Sequence, residues 1–441
     1  MTFRICFVVL LSMTIMQPIL AQERISVEQA IAAALANNYD IRLTKNDSIS
    51  YAIDESYLYT AFLPTFTGNI TKSYTRNEET NKFKGLPNRT DTVGISKSNS
   101  LVAGVNMNWI LFDGFRMYAV RDRVRELVKL GELGIKTQVA NSVAEVVRTY
   151  YNIVRQKQQL NAIVEQKTIS EERVKLADKK LSVGLGAKPE LLQAKVDLNA
   201  FTSAQYTQNT LIAQLKEQLN QLMGVSKDIS YDVVDSIPVK QDLSLEYVMT
   251  NINQTNPDLQ VFRKNLDLSK IALREAKANY YPRVSLVSNY NFNRNNNTQN
   301  INPFQLPFRQ VSGLSGGVTA AIPIFNGFSV TRQVKQSKLL IQQQQLLYDN
   351  QVLQVDISVK NAFREYELQK QNLKLEDDNI LLAKENVMIA LARFKQGVST
   401  YLELREAQIS LNDAYNRLIA ARYNSKVAEI ELMRLKGEII R

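Results

Sequence analysis

The chain has 441 residues, a formal net charge of +11, no histidine and one cysteine, Cys6. Without histidine it lacks the commonest general base and metal ligand, and a lone cysteine cannot close an intramolecular disulfide. Its charge is spread through the helical segments rather than massed in a tail, which is the pattern of solvated helix faces and not of a nucleic-acid-binding surface.

Arg4 precedes an apolar stretch from Ile5 to Leu20, interrupted by Ser12, Thr14 and the Gln17-Pro18 pair, and Ala21 offers a small residue before Gln22. Residues 1–21 are therefore expected to be a signal peptide, with Gln22 starting the exported protein. The run is short for a membrane span, and no later segment has the uninterrupted apolar run of a spanning helix. Cys6 lies inside this leader, which argues against a lipid-anchored start. An exported chain of this kind is periplasmic, secreted or an outer-membrane barrel.

The remainder is one unit written twice. Ile25-Ser26-Val27-Glu28 recurs as Leu243-Ser244-Leu245-Glu246, Asn38-Tyr39-Asp40 as Asn256-Pro257-Asp258, and Leu63-Pro64 as Tyr281-Pro282, each 218 positions on (28 to 246, 40 to 258, 64 to 282). Phe112-Asp113-Gly114-Phe115 recurs as Phe325-Asn326-Gly327-Phe328, Gly184 as Gly397 and Gly224 as Gly437, each 213 positions on (114 to 327, 184 to 397, 224 to 437). So many landmarks in register point to duplication, with a loop-length difference between Pro64 and Phe112. The boundaries follow: a first repeat at 22–224, a linker at 225–242, a second repeat at 243–437 and a tail at 438–441.

Each repeat opens with a predicted helix, Val27 to about Ala61 and Leu245 to about Asn279, ended by the proline at 64 or 282. The period then changes to two. Leu101, Ala103, Val105, Met107, Trp109 and Leu111 alternate with Gly104, Asn106 and Asn108. Val284, Leu286, Tyr290 and Phe292 oppose Ser285, Asn289, Asn291 and Asn293, while Leu314, Val318, Ala320, Ile322 and Ile324 oppose Ser315, Gly317 and Thr319. Phe66, Ile70 and Tyr74 sketch a fourth strand. Alternation means one apolar and one polar face. A soluble sandwich also explains four such strands, but Asn, Ser and Gly opposite the apolar face suit a wet lumen. Trp109 and the phenylalanines at 112, 115, 325 and 328 stand where an interfacial aromatic belt belongs. Four strands cannot close a barrel, so strands of several subunits must join. Polar connections are expected at Asn77–Asn99 and Asn295–Gln310, with turn residues Pro87-Asn88 and Asn302-Pro303.

Helical periodicity then returns, from Val120 to about Lys180 and from Val330 to about Gln396. Some 60 residues at about 1.5 Å each give roughly 90–100 Å, a length that calls for coiled-coil packing. Leu404, Ala407, Leu411, Ala414, Leu418 and Ala421 form a heptad seam, and Val355, Val359, Ala362, Tyr366 and Leu373 a similar stripe.

Signal peptide, duplicated helix–hairpin–long-helix unit, Phe-Asp-Gly turn, and the paired turns Lys180–Ala194 and Arg393–Gln408 together resemble TolC-type outer-membrane efflux channels over essentially the whole exported chain. The resemblance implies a homotrimer whose protomers each give four strands to a twelve-stranded outer-membrane β-barrel, continued by an α-helical coiled-coil tunnel in the periplasm. It implies lipid around the barrel, a periplasmic adaptor (membrane fusion) protein and an inner-membrane pump as partners, and passive conduction of small molecules or proteins. It places Val225 to Leu243 beside the tunnel as an equatorial element, with Tyr231-Asp232-Val233-Val234 as a short strand. Neither catalytic residues nor a cofactor or metal are expected, and no nucleic-acid partner. The alternative from another class is a periplasmic coiled-coil adaptor, which accounts for the heptads but not for the four strands.

The same resemblance puts Gly184, Leu185, Gly397 and Val398 at the hairpin tips that meet the adaptor, with the glycines in left-handed, helix-ending conformations. It puts Glu403 and Glu406 in an acidic ring at the entrance, a constriction built by summed like charge. Thr400-Tyr401-Leu402-Glu403 is equally a capping box, which would place an acid there without any ring, and Glu190, beside Pro189 at the first helical position, fits capping better still. Ser399 stands where family members can carry an arginine that helps hold the entrance shut.

Overall fold

A computed structural model of the protein describes residues 24–82, 91–226, 231–239, 243–301 and 305–439. The expected leader and the Pro87-Asn88 and Asn302-Pro303 turns lie outside them, as does part of the 225–242 linker. Among the described residues no helix is long and apolar enough to cross a membrane.

In chain order the elements are β1 (Arg24–Ile25), α1 (Val27–Asn37), α2 (Tyr39–Ser56), a 3-10 turn (Leu58–Phe62), β2 (Thr65–Asn81), β3 (Thr92–Phe112), α3 (Arg116–Ser182) and α4 (Lys188–Met223). They continue with β4 (Asp232–Val233), α5 (Leu245–Met249), α6 (Ile252–Thr255), α7 (Pro257–Ala278), β5 (Arg283–Gln299), β6 (Phe308–Ala321), α8 (Ser329–Lys395) and α9 (Tyr401–Lys436). Two compact units emerge among the described residues, and each draws on both repeats: one takes those up to Asp47, those within Glu132–Val261 and those from Asp349, the other those within Ser48–Gly131 and Phe262–Tyr348.

In the first unit the predicted opening helices are interrupted. Ser26 caps α1 with a reciprocal box to Gln29, but the helix stops at Asn38. The Asn38 side chain accepts from the N–H groups of Asp40 and Ile41, capping α2, and donates to the Leu222 carbonyl at 2.8 Å. Asn256 repeats the device in the second copy: its Oδ1 accepts from Leu259 N and its Nδ2 donates to the Leu435 carbonyl at 2.7 Å. A helix break stabilised by a carbonyl some 180 residues away cannot be read from local propensity. The linker strand β4 pairs in parallel with β1, and Tyr150 fastens the pair by donating to the Ile25 carbonyl and accepting from Val234 N.

The expected seam of α9 is the core here: Leu404, Ala407, Leu411, Ala414, Leu418 and Ala421 are all buried, as are Val355, Val359 and Tyr366 of α8. Burying a leucine of this kind contributes about 2 kcal/mol, so the long helices are held by packing and not by propensity alone.

In the second unit β2, β3, β5 and β6 form an antiparallel sheet in that order. Its register brings the apolar alternations of all four strands onto one face: Phe66 opposes Met107, Gly68 opposes Val105, and Ile70 opposes Ala103. Trp109 opposes Leu286, and Val105 opposes Tyr290. Leu286 in turn opposes Val318, and Tyr290 opposes Leu314. The other face carries Thr67, Asn69, Asn106, Asn289, Asn291 and Ser315.

Three expectations are corrected in this unit. The strands run further into the polar connections than predicted, because Asn77–Asn81 pairs with Thr92–Ser96 and Asn295–Asn296 with Phe308–Arg309; ladder bonds come from the backbone and need no apolar side chains. Ile322 and Ile324 lie beyond β6, which ends before Pro323, a residue without an N–H to give the ladder. Phe325 and Phe328 are likewise past the strand end, while Phe112 closes β3. Both phenylalanine pairs meet edge to face, with ring centroids at 5.2 Å (112 and 115) and 5.5 Å (325 and 328).

Candidate functional site

All six candidate residues lie at or just after the two helix–helix turns. Gly184 ends α3 with φ +77° and Gly397 ends α8 with φ +75°. At the first turn Gly184 N donates to Leu181 O and Leu185 N to Lys180 O; at the second, Gly397 N donates to Phe394 O and Val398 N to Arg393 O. These are paired Schellman motifs, which satisfy the last carbonyls of each helix. Such motifs usually tuck the residue after the glycine against an apolar side chain five positions back. Here those positions hold Lys180 and Arg393, and Leu185 stays 82 % exposed and Val398 67 % exposed. Each turn thus presents an unburied aliphatic side chain just after its glycine, and Val183, 67 % exposed, adds a second at the first turn.

Glu403 and Glu406 project from the first turns of α9, and both are exposed. Thr400 caps α9 by accepting from Glu403 N at 3.3 Å. The return half of the box is replaced: the Glu403 carboxylate accepts from the Ser399 hydroxyl, at 2.9 Å. Ser399, in the arginine's position, therefore binds the very acid that follows it. Pro189 stands at the second position of α4, not the first, because Ala187 is the cap.

Behind the turns lies a polar cluster that sequence reasoning missed. Arg173 of α3, 2 % exposed, pairs with Asp197 of α4 at 2.9 Å and donates to Gln408 of α9. Asp197 also accepts from Tyr401 at 2.8 Å and Gln193 at 3.0 Å, and Arg405 stands at 3.5 Å. The Arg173 guanidinium lies over the Tyr401 ring, 4.6 Å from its centroid. Burial favours the neutral form of Asp197, but the hydrogen bonds from Tyr401, Gln193 and Arg173 outweigh it and hold the carboxyl below the usual carboxylate range. Burial and the bond to Asp197 push the Tyr401 phenol up to about 12. The cluster ties the first repeat's helix pair to the second repeat's α9, and Lys180 over the Phe394 ring at 3.9 Å adds a second tie. No local signal marks it, since Glu171-Glu172-Arg173-Val174-Lys175 reads as an ordinary solvated face.

Residues 30–225 and 248–438 match the family described as Outer membrane efflux protein. The chain belongs to that family. It is 25% identical over 356 residues to Protein CyaE of Bordetella pertussis, covering 80% of this chain and 73% of that one. To the outer membrane protein TolC of Vibrio cholerae it is 19% identical over 361 residues, covering 80% of each. Among solved structures, the Campylobacter jejuni CmeC outer membrane channel superposes with a TM-score of 0.77 at 18% identity, covering 94% of this chain and 86% of that one. As an outer membrane efflux protein the chain is a transport channel of the outer membrane, with its helical tunnel in the periplasm. The coiled-coil adaptor reading is set aside.

Proposed function

We propose that three copies close one twelve-stranded barrel and that the homotrimer is the passive exit duct of a tripartite efflux or secretion system, fed by an inner-membrane pump through a periplasmic adaptor. The observation that carries this reading is the open four-stranded sheet, apolar on one face and polar on the other, with β2 and β6 at its edges. A bilayer does not tolerate open edges, so β2 of one copy must pair with β6 of the next. Supporting evidence comes from α8, where Leu339, Leu346 and Leu353, then Leu368, Leu375, Leu382 and Ile389, recur every seven residues and are all exposed. A heptad seam left in water wants a second helix. The duplication boundaries 22–224 and 243–437 give the trimer six similar hairpin tips.

The reading is tested by native mass measurement on protein extracted in detergent from outer-membrane fractions. Three copies per particle are expected; a monomer or dimer in the soluble periplasm would overturn it.

Gly184, Leu185, Gly397 and Val398 form the adaptor contact, in which the exposed Leu185 and Val398 side chains are the apolar anchors and the glycines set their angle. Glu403 and Glu406, repeated about the threefold axis, form an acidic constriction. Replacing both by glutamine is expected to raise the divalent-cation concentration that blocks single channels in planar bilayers about tenfold. Unchanged block assigns Glu403 to helix capping alone and removes the constriction.

A further inference from the structure

The sheet register brings together a set of cations that the sequence keeps far apart. On the apolar face the stretch from Val284 to Phe292, with its partners from Ala320 to Ser312, from Trp109 to Ala103 and from Phe66 to Ile70, contains no charged residue. It extends about 27 Å along the strand, or about 20 Å once tilted, close to the apolar band of an outer-membrane barrel. The next row on the same face reads Lys72, Leu101, Arg294 and Gln310, residues opposed in turn across the four strands. Arg76 opposes Lys97 two rows further on. Lys72, Arg76 and Arg294 are exposed. Arg294 is held on this face by its guanidinium lying over the Phe308 ring, 5.4 Å from the centroid. Glu78 is the one strand carboxylate on this face, and among the described residues no carboxylate forms an ion pair with any of the four cations.

These cations stand at the hairpin end of the strands, away from the helices that enter the periplasm, and hence at the outer-leaflet boundary. Basic side chains that pair with no described carboxylate, one row above an apolar belt, would face headgroups and not water alone. We propose that Lys72 and Arg294, supported by Arg76 and Lys97, bind the phosphates of a phosphorylated glycolipid of the outer leaflet. Lysine meets phosphate as a point charge and arginine as a two-pronged donor. The geometry commits to lipid phosphate and not free phosphate, because the cations are continuous with the surface that meets acyl chains. In a trimer the row recurs three times, giving a cationic girdle. This rests on the barrel reading above.

The test uses the full-length detergent-purified protein and native mass spectrometry with diphosphorylated lipid A as the probe, against a dephosphorylated analogue and inorganic phosphate. Wild type should retain the phosphorylated lipid in preference to the other two. Lys72→Gln with Arg294→Gln should weaken that retention about fivefold per charge removed, on the order of 25-fold for the pair. Lys72→Arg with Arg294→Lys should retain it. Arg309→Gln removes an equal charge from the opposite face, where Arg309 opposes Asn295, and should leave retention unchanged. Equal retention by the double glutamine variant, or equal loss in Arg309→Gln, overturns the girdle while the trimer stands. Absence of the wild type from the outer membrane overturns the barrel and the girdle with it.

Discussion

Asp197→Ala is expected to lower the stability of the detergent-solubilised protein by about 3 kcal/mol, because it strips a buried guanidinium of its counter-ion. Arg173 is 2 % exposed, and among the described residues its partners besides Asp197 are Gln408 and the Tyr401 ring. Replacing both members, as Arg173→Met with Asp197→Leu, should cost much less than the single change, since an apolar pair leaves no buried charge unpaired and Arg405, which also loses Asp197, has its side chain exposed to water. The thermal midpoint of the helical circular dichroism signal reads both, and a double variant no better than the single would show that shape, not charge, holds the cluster. The sign of the pH dependence follows from the depressed carboxyl. The folded state binds the Asp197 proton more weakly than the unfolded chain, so its contribution is full above the ordinary carboxylate value of 3.8 and lost as pH falls through the lower folded value. The wild-type midpoint should therefore show no Asp197 contribution to any change between pH 8 and 5. Below about pH 4 the wild type should lose more than Asp197→Asn does.

The second large effect is at a glycine, and it separates two turns of the same backbone conformation. Gly437 has φ +80° and Gly397 φ +75°, so alanine costs each about 1–2 kcal/mol for the left-handed region. Around Gly397 there is open space, whereas a Cβ at Gly437 would come closer than 3.0 Å to the Thr255 carbonyl oxygen. Gly437→Ala must push backbone aside, at a further cost of about 1–3 kcal/mol. Gly224→Ala should match it, because a Cβ there meets the Asn37 carbonyl in the same way. Equal midpoints for Gly397→Ala and Gly437→Ala would show that the α6–α9 junction yields to a methyl group.

The two glycines also mark what was legible. Each repeats a glycine 213 positions earlier, Gly184 and Gly224, which announces the duplication, and their position after long helical runs announces the helix ends. That Gly437 is crowded and Gly397 is free depends on which strand of chain returns beside each. The same holds for Asn38 and Asn256. Both were visible as repeat landmarks, yet the helix breaks they stabilise need the Leu222 and Leu435 carbonyls, which only folding delivers.

Periodicity by itself determined the four strands, the long helices and the buried seam of α9, because side-chain spacing of two or of three and four is a local property of the backbone; the two tips came from the paired turn motifs and the family resemblance they carry. Tertiary structure alone decided the pairing of β1 with β4, the Arg173–Asp197–Tyr401 cluster and the row that aligns Lys72 with Arg294. In each of these the partners lie on different elements, and register, which no single strand or helix encodes, chooses who meets whom.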